Sequence, residues 1–379
     1  MVINKTLFYI GIVGFILFEI ANVYFIMPLP GSQRMNSIEA AYFLYTWRWW
    51  FRGGFLLLAL VAPKPHKWIL LFCMVVVGGV AYMTNFQMAA DTMFYQPSDL
   101  QLKNEKENKV SKDRLVLGVE INGHARAYPI QFIGYHHQVQ DTLSGKPIIV
   151  TYCTVCRTGR VFEPMVQGKV ERFRLVGMDH FNAMFEDATT QSWWRQANGE
   201  AIVGPLKGTV LPEIETTQTT LQKWLELYPN SLVMQPDMKF KAEYDSLSNY
   251  ESGKRKGKLT RRDTASWKEK SWVVGIALNE ASKAFDWNRL QKEHIINDVV
   301  GEQPIVLVLA RDKKSFFAFK RRDFNHKFTV QNDTLIDNDG FRYSLLGKSE
   351  KPTIADLVKI KAYQEYWHSW QTFQPYTKR

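Results

Sequence analysis

Cys153 and Cys156 sit three apart in VTYCTVCRTGRVFEP, residues 150–164, directly after an apolar run. Two thiols at that spacing can hold a soft metal, exchange disulfides, or simply pack. Cys73 lies inside a hydrophobic segment and reads as inert. Three cysteines are too few for a disulfide-stapled secreted domain. Covalent haem needs a histidine directly after the second cysteine, and Arg157 stands there, so no haem is expected. A thioredoxin-like dithiol opens a helix whose N-terminus lowers the thiol pKa. Here TGRVFEP reads as a turn into a strand with Gly159 at the bend, and Arg157 supplies some positive charge instead. The metal reading fits a strand–turn–strand that aims both sulfurs at one centre, which suits zinc, Cu(I) or an iron site.

A four-ligand site has no second cysteine pair to draw on, so histidine, methionine or carboxylate must complete it. His136 and His137 lie one hairpin upstream, and the segment DHFNAMFED offers His180 beside Asp179. Met178 and Met184 read as core residues. The stretch 178–205 also crowds acids, Trp193, Trp194 and Arg195 together, as a hairpin with a paired tryptophan edge or as a pocket with a charged floor.

These residues must be positioned by a fold, and the chain carries an internal repeat. VLGVEINGHARAYPIQFIGYHHQVQDTLSGKPIIV (116–150) aligns without gaps over VVGIALNEASKAFDWNRLQKEHIINDVVGEQPIVL (273–307), at a constant offset of 157. Gly118, Asn122, His137, Asp141 and Pro147 meet Gly275, Asn279, His294, Asp298 and Pro304. Each copy reads as short strands, an Asn-containing turn, a mixed segment, and a Pro-started apolar strand. Cys153 aligns with Ala310 and Cys156 with Lys313, so the scaffold stands without the thiols. His294 persists where the thiols are absent, which argues for a shared structural role of His137. TTLQKWLELYP (219–229) predicts a helix capped by Thr219 or Thr220. Residues 354–373 predict an amphipathic helix with an aromatic stripe, in which His368 reads as a core or edge residue.

At the N-terminal end, 7–27, 43–62 and 68–86 read as three membrane spans. Lys5, Lys64 and Lys67 place their ends inside, which puts the chain from about residue 87 outside. Arg34, Arg48 and Arg52 oppose that orientation. Glu19 is costly inside a span and invites pairing with Arg52 or Arg48. The net charge is +11 with charged residues at 22%. The densest basic run, KRKGKLTRR at 254–262, has no aromatic platforms interleaved and reads as a solvated loop, not a nucleic-acid patch.

Gly118-Val-Glu-Ile-Asn-Gly, Ala127-Tyr-Pro, His136-His137, Gly145-Lys-Pro and Thr151-Tyr-Cys-Thr-Val-Cys-Arg-Thr-Gly, with Ser192-Trp193 and Gly199-Glu-Ala-Ile-Val-Gly-Pro-Leu, resemble the DUF3179 family of uncharacterised bacterial and archaeal proteins. The resemblance covers roughly 95–330 or beyond. Many members carry Tyr-Cys-Pro-x-Cys-Gly-Thr, whereas this chain has Thr154 for the proline and Arg157 for the glycine. The family implies a fold unit and no activity.

The expected architecture is strand-rich α+β: a membrane anchor (1–90), a first copy (91–234), a linker loop (235–270), and a thiol-free second copy with a C-terminal helix (271–379). The expected location is the cytoplasmic membrane, multi-pass, with the large domain on the periplasmic side. The leading expectation is a soft-metal site, copper or zinc, on Cys153 and Cys156 with His137, His136 or His180. Two alternatives stay open: thiol–disulfide exchange by the same pair without metal, and a non-catalytic binding module. The expected partner is another extracytoplasmic redox or metal-handling protein.

Overall fold

The computed structural model describes residues 5–379. It is strand-rich α+β and divides into two compact units, one built from the chain up to Tyr95 together with Glu171–Val210, the other from Gln96–Val170 and Leu211–Arg379.

In the first unit two helices are long and apolar enough to cross a membrane, Thr6–Tyr24 and Lys67–Gln87. The expected second span, at 43–62, is not one helix. The chain breaks at Trp47 between Ile38–Thr46 and Arg48–Val61. The latter has 14 residues, about 21 Å at 1.5 Å per residue, short of a roughly 30 Å hydrocarbon core. Arg48 and Arg52 both lie in this shorter helix, one turn apart, and shorten its lipid-compatible stretch further. Arg52 turns inward and forks Glu19, with Nε 2.5 Å from Oε1 and Nη2 2.9 Å from Oε2. Asn85 donates to the same carboxylate at 2.8 Å and Thr84 at 3.1 Å. Arg48 instead donates to the Tyr45 carbonyl at 2.5 Å. The segment 171–210 adds a four-stranded antiparallel sheet, including Phe173–Asp179, Asn182–Asp187, Trp193–Arg195 and Ala201–Val203. Its apolar face packs Met184 and Trp193 against Ile26, Ile38 and Tyr42.

In the second unit one succession of elements occurs twice. Leu115–Ile121, His124–Pro129, Ile130–His136, Gln138–Leu143 and Lys146–Cys153 are matched by Trp272–Leu278, Ala281–Asp286, Trp287–Glu293, Ile295–Val300 and Gln303–Leu309. Each counterpart begins 157 residues later, as from 115 to 272 and from 146 to 303. The short helices end in the same way. His137 and His294 take φ of 62° and 63°, a left-handed conformation that histidine tolerates better than most residues. Each donates its N–H back into the helix, to Ile133 and Leu290, and each carbonyl accepts from the following strand, from Tyr152 and Leu309. This backbone role accounts for a histidine at both positions.

Each half is completed by a strand and a short helix from further along the chain. Thr217–Thr220 pairs with Leu115–Ile121, and Tyr363–Tyr366 pairs with Trp272–Leu278. The helices that follow, Leu221–Leu227 and Trp367–Phe373, lay Trp224 over Gly118 and Trp370 over Gly275. The helix Leu221–Leu227 is capped by the Thr220 hydroxyl, as expected. The expected C-terminal helix over 354–373 is shorter than its aromatic stripe suggested. Residues 363–366 are a strand, because their alternation also satisfies a two-sided sheet, and only Trp367–Phe373 is helical. Gln218 and Gln364, in corresponding strands, bond to each other at 2.9 Å.

Candidate dithiol site

The strands Lys146–Cys153 and Thr158–Phe162 form a hairpin in which Cys153 pairs with Thr158 across the ladder. Arg157 closes the turn with φ of 58°. That left-handed region suits glycine and costs an L-residue about 1 kcal/mol. The chain therefore makes the turn that glycine would make, and gains a cation by using arginine.

Cys153 and Cys156 both carry thiols and are fully buried. The Cys156 thiol lies within hydrogen-bonding reach of Cys153 and of the Ser369 hydroxyl. Burial pushes this thiol well above the usual thiol range, and the neighbouring Cys153 adds to the effect. Ser369 and the Lys270 ammonium pull it the other way.

The far wall of the site comes from the second half of the unit. Tyr366 donates its N–H to the Cys156 carbonyl at 2.9 Å, which locks the strand Tyr363–Tyr366 to the thiol turn. Lys270 Nζ donates to the Val155 carbonyl, inside the turn, at 2.6 Å. It also lies 3.0 Å from His368 Nε2 and 4.6 Å from the centre of the Tyr366 ring. Burial brings Lys270 down to about 8, against the pull of the two cysteines. Burial, with Lys270 beside it, brings His368 down to about 3, so its imidazole is neutral and its Nε2 can accept from the ammonium. Ser369 donates to Glu365 at 3.0 Å, and Arg160 holds the other oxygen of Glu365 at 2.6 Å.

Arg157 is also fully buried. It donates through Nε to Gln364 at 2.9 Å and packs 3.8 Å from the centre of the Trp272 ring. The arrangement sets an ammonium, held by a carbonyl and a neutral imidazole, against the turn that carries two buried sulfurs, and its charge favours the thiolate form of Cys156.

The three histidines expected as ligands have other partners. His136 Nε2 lies 2.6 Å from the Tyr244 hydroxyl, and His137 Nδ1 lies 2.9 Å from the Tyr135 carbonyl. Burial lowers His137 to about 4. His180 belongs to the other compact unit, where it meets Asp179 at 2.6 Å and Asn36 at 3.1 Å. Among the described residues, no group of three or more His, Cys, Asp or Glu converges as a metal site. In the Trp-rich segment, Trp193 donates to Glu186 at 2.8 Å and Trp194 to Asp187 at 2.9 Å, so these acids anchor the indoles.

Sequence reasoning missed Lys270, Ser369 and Glu365, and placed His368 in the packing stripe. The matching order of elements held the signal for them. The sister turn carries Asp312 and Ser315, which bond Thr220 at the start of the other helix. The segment facing the thiol turn is the counterpart, Tyr363–Tyr366 and the helix after it, so its polar residues were the candidates to test.

A family profile described as "Protein of unknown function (DUF3179)" matches residues 97–377. The chain belongs to the DUF3179 family. The match runs through the thiol-bearing and the thiol-free halves of this DUF3179 protein alike. No curated protein and no solved structure matches it.

Proposed function

We propose that this DUF3179 protein is a membrane-anchored thiol–disulfide exchanger whose redox pair is Cys153 and Cys156. The observation that carries the reading is the contact of Lys270 with the thiol turn, through the Val155 carbonyl at 2.6 Å. A buried dithiol without such a neighbour stays protonated and inert.

In the proposed cycle Cys156 gives its proton to water as the covering segment lifts, and the Lys270 ammonium beside the turn favours the thiolate. The thiolate attacks one sulfur of a partner disulfide, breaking that S–S bond and forming a mixed disulfide. The displaced partner sulfur takes a proton from water. Cys153 then attacks Cys156 Sγ, an intramolecular disulfide forms, and the second partner sulfur leaves with the proton of Cys153. The pair is oxidised by two electrons and the partner disulfide is reduced to two thiols. Both sulfurs are covered at rest, so exchange requires the segment carrying Lys270, or the helix Trp367–Phe373, to lift.

The apolar helices Thr6–Tyr24 and Lys67–Gln87 support anchoring in the cytoplasmic membrane. Lys64 and Lys67 favour an orientation that leaves residues from about 87 outside. The repeated element order supports an origin by duplication, in which one half kept the scaffold and the other gained the thiols.

Glutathione disulfide tests the exchange on the full chain. Cys153→Ser is expected to accumulate a stable glutathione adduct on Cys156, and Cys156→Ser to form it at least about tenfold more slowly. Adduct formation by neither variant contradicts exchange.

A second reading is a soft monovalent metal, copper(I), held by the two thiolates. The reach of one sulfur to the other favours it. Zinc fits less well, since it takes four ligands and the site offers two cysteines. Metal content after loading under reducing conditions, wild type beside the double serine variant, decides this reading.

A further inference from the structure

We propose that the basic segment 254–262 is a docking surface for an acidic polypeptide segment, the partner of the thiol pair. The inference rests on the exchange reading for the partner's role, and on the charges alone for its chemistry. Lys254, Arg255, Lys256, Lys258, Arg261 and Arg262 fall within nine residues. Lys254, Lys256, Lys258 and Arg261 are exposed. Among the described residues the ion pair these side chains make is Arg261 with Asp263, at 3.5 Å, and the exposed lysines face solvent.

The segment is tied to the dithiol by a short path. The Thr260 carbonyl accepts from the Tyr366 hydroxyl at 2.8 Å, and the same Tyr366 donates its N–H to Cys156. Arg262 and Arg157 flank Trp272, with guanidinium carbons 4.0 and 3.8 Å from the ring centre. Gly253 makes room there: a Cβ on it would come within 2.8 Å of the Arg262 side chain and 2.9 Å of Trp272. At this inner end the half-buried Arg262 has an Nε with no hydrogen-bond partner among the described residues. A cationic donor without an acceptor is costly, and a carboxylate brought by a partner to Arg262 is the acceptor it suits. The positive field thus runs from exposed lysines to the residue next to Cys156, the pattern that speeds association with an acidic protein. Nucleic acid fits poorly, because Trp272 and Tyr366 are buried beneath the segment and offer no base a free stacking face.

The test uses the full chain in detergent and fluorescent peptides that contain no cysteine, so it does not depend on exchange. A glutamate-rich peptide is expected to bind, to weaken steeply with salt, and to lose at least about tenfold in affinity in a variant carrying Lys254→Ser, Arg255→Ser, Lys256→Ser and Lys258→Ser. Arg262→Gln, at the inner end, is expected to weaken it as well. A lysine-rich peptide of equal length is expected not to bind. Equal binding of both peptides, unchanged binding in the quadruple variant, or binding to anionic lipid vesicles with none to the acidic peptide would each overturn the proposal. Glutathione exchange that persists while the acidic peptide fails to bind would leave the thiol chemistry standing and remove the docking surface.

Discussion

Burial disfavours the charged form of both the Cys156 thiol and the Lys270 amine, raising the thiol well above its ordinary range and lowering the amine to about 8. Both shifts oppose proton transfer from thiol to amine; what favours the thiolate is the Lys270 ammonium charge, which pulls the thiol back down. The rate of Cys156 alkylation in the Cys153→Ser variant is therefore expected to be slow near neutral pH and to rise towards the raised thiol value. Adding Lys270→Met, which removes the charge, should slow it further at a given pH, and Lys270→Arg, which keeps the charge, should slow it less. An unchanged profile in both would remove Lys270 from the chemistry. At this scale the sequence disclosed the thiols and concealed their neighbours. Cys153 and Cys156 are close in the chain, whereas Lys270 and Ser369 reach them only through long-range pairing. His136, His137 and His180 looked available because hydrogen bonds to Tyr244, to a carbonyl and to Asp179 leave no trace in spacing.

The hairpins and short helices of the second unit were legible because their element order recurs along the chain. One offset of 157 applies to five successive elements, as from Leu115 to Trp272, and alternation of apolar residues gave their type. The strand–helix pieces that complete each half were harder to read. Tyr363–Tyr366 carries aromatics at a spacing that suits a helix or a strand, and its pairing with Trp272–Leu278 decided the matter. The packing of these pieces depends on two glycines. A Cβ at Gly118 or at Gly275 would fall 2.2 Å from the ring of Trp224 or Trp370. Gly118→Ala and Gly275→Ala are each expected to destabilise the unit by about 1–3 kcal/mol through overpacking, measured as a lower thermal midpoint. Gly275→Ala should also slow glutathione exchange, because Trp370 lies beside Ser369 in the helix that walls the site. Loss of stability at one glycine and not the other would contradict the equivalence of the two halves.

For the molecule as a whole, hydropathy located the apolar N-terminal region but overstated the helix that carries Arg48 and Arg52. A window average does not register that one of these arginines is held by Glu19. Glu19 is fully buried and is met by Arg52, Thr84 and Asn85. Breaking a buried pair by removing one partner typically costs about 3–5 kcal/mol, since it strands the other charge. Arg52→Met is expected to lower the thermal midpoint in detergent sharply, while Arg48→Met, which loses a bond to a carbonyl, should lower it much less. Equal effects would contradict the pairing.

The redox equilibrium of the thiol pair tests the central claim most directly. The full chain is equilibrated with glutathione buffers of graded potential, quenched with an alkylating reagent under denaturing conditions, and weighed. Exchange predicts a cooperative two-electron transition between a form with Cys153 and Cys156 both alkylated and a form with neither, reversible on adding reductant and absent from both single serine variants. Two thiols that stay alkylatable across the whole range, or that oxidise only to separate glutathione adducts, would contradict it.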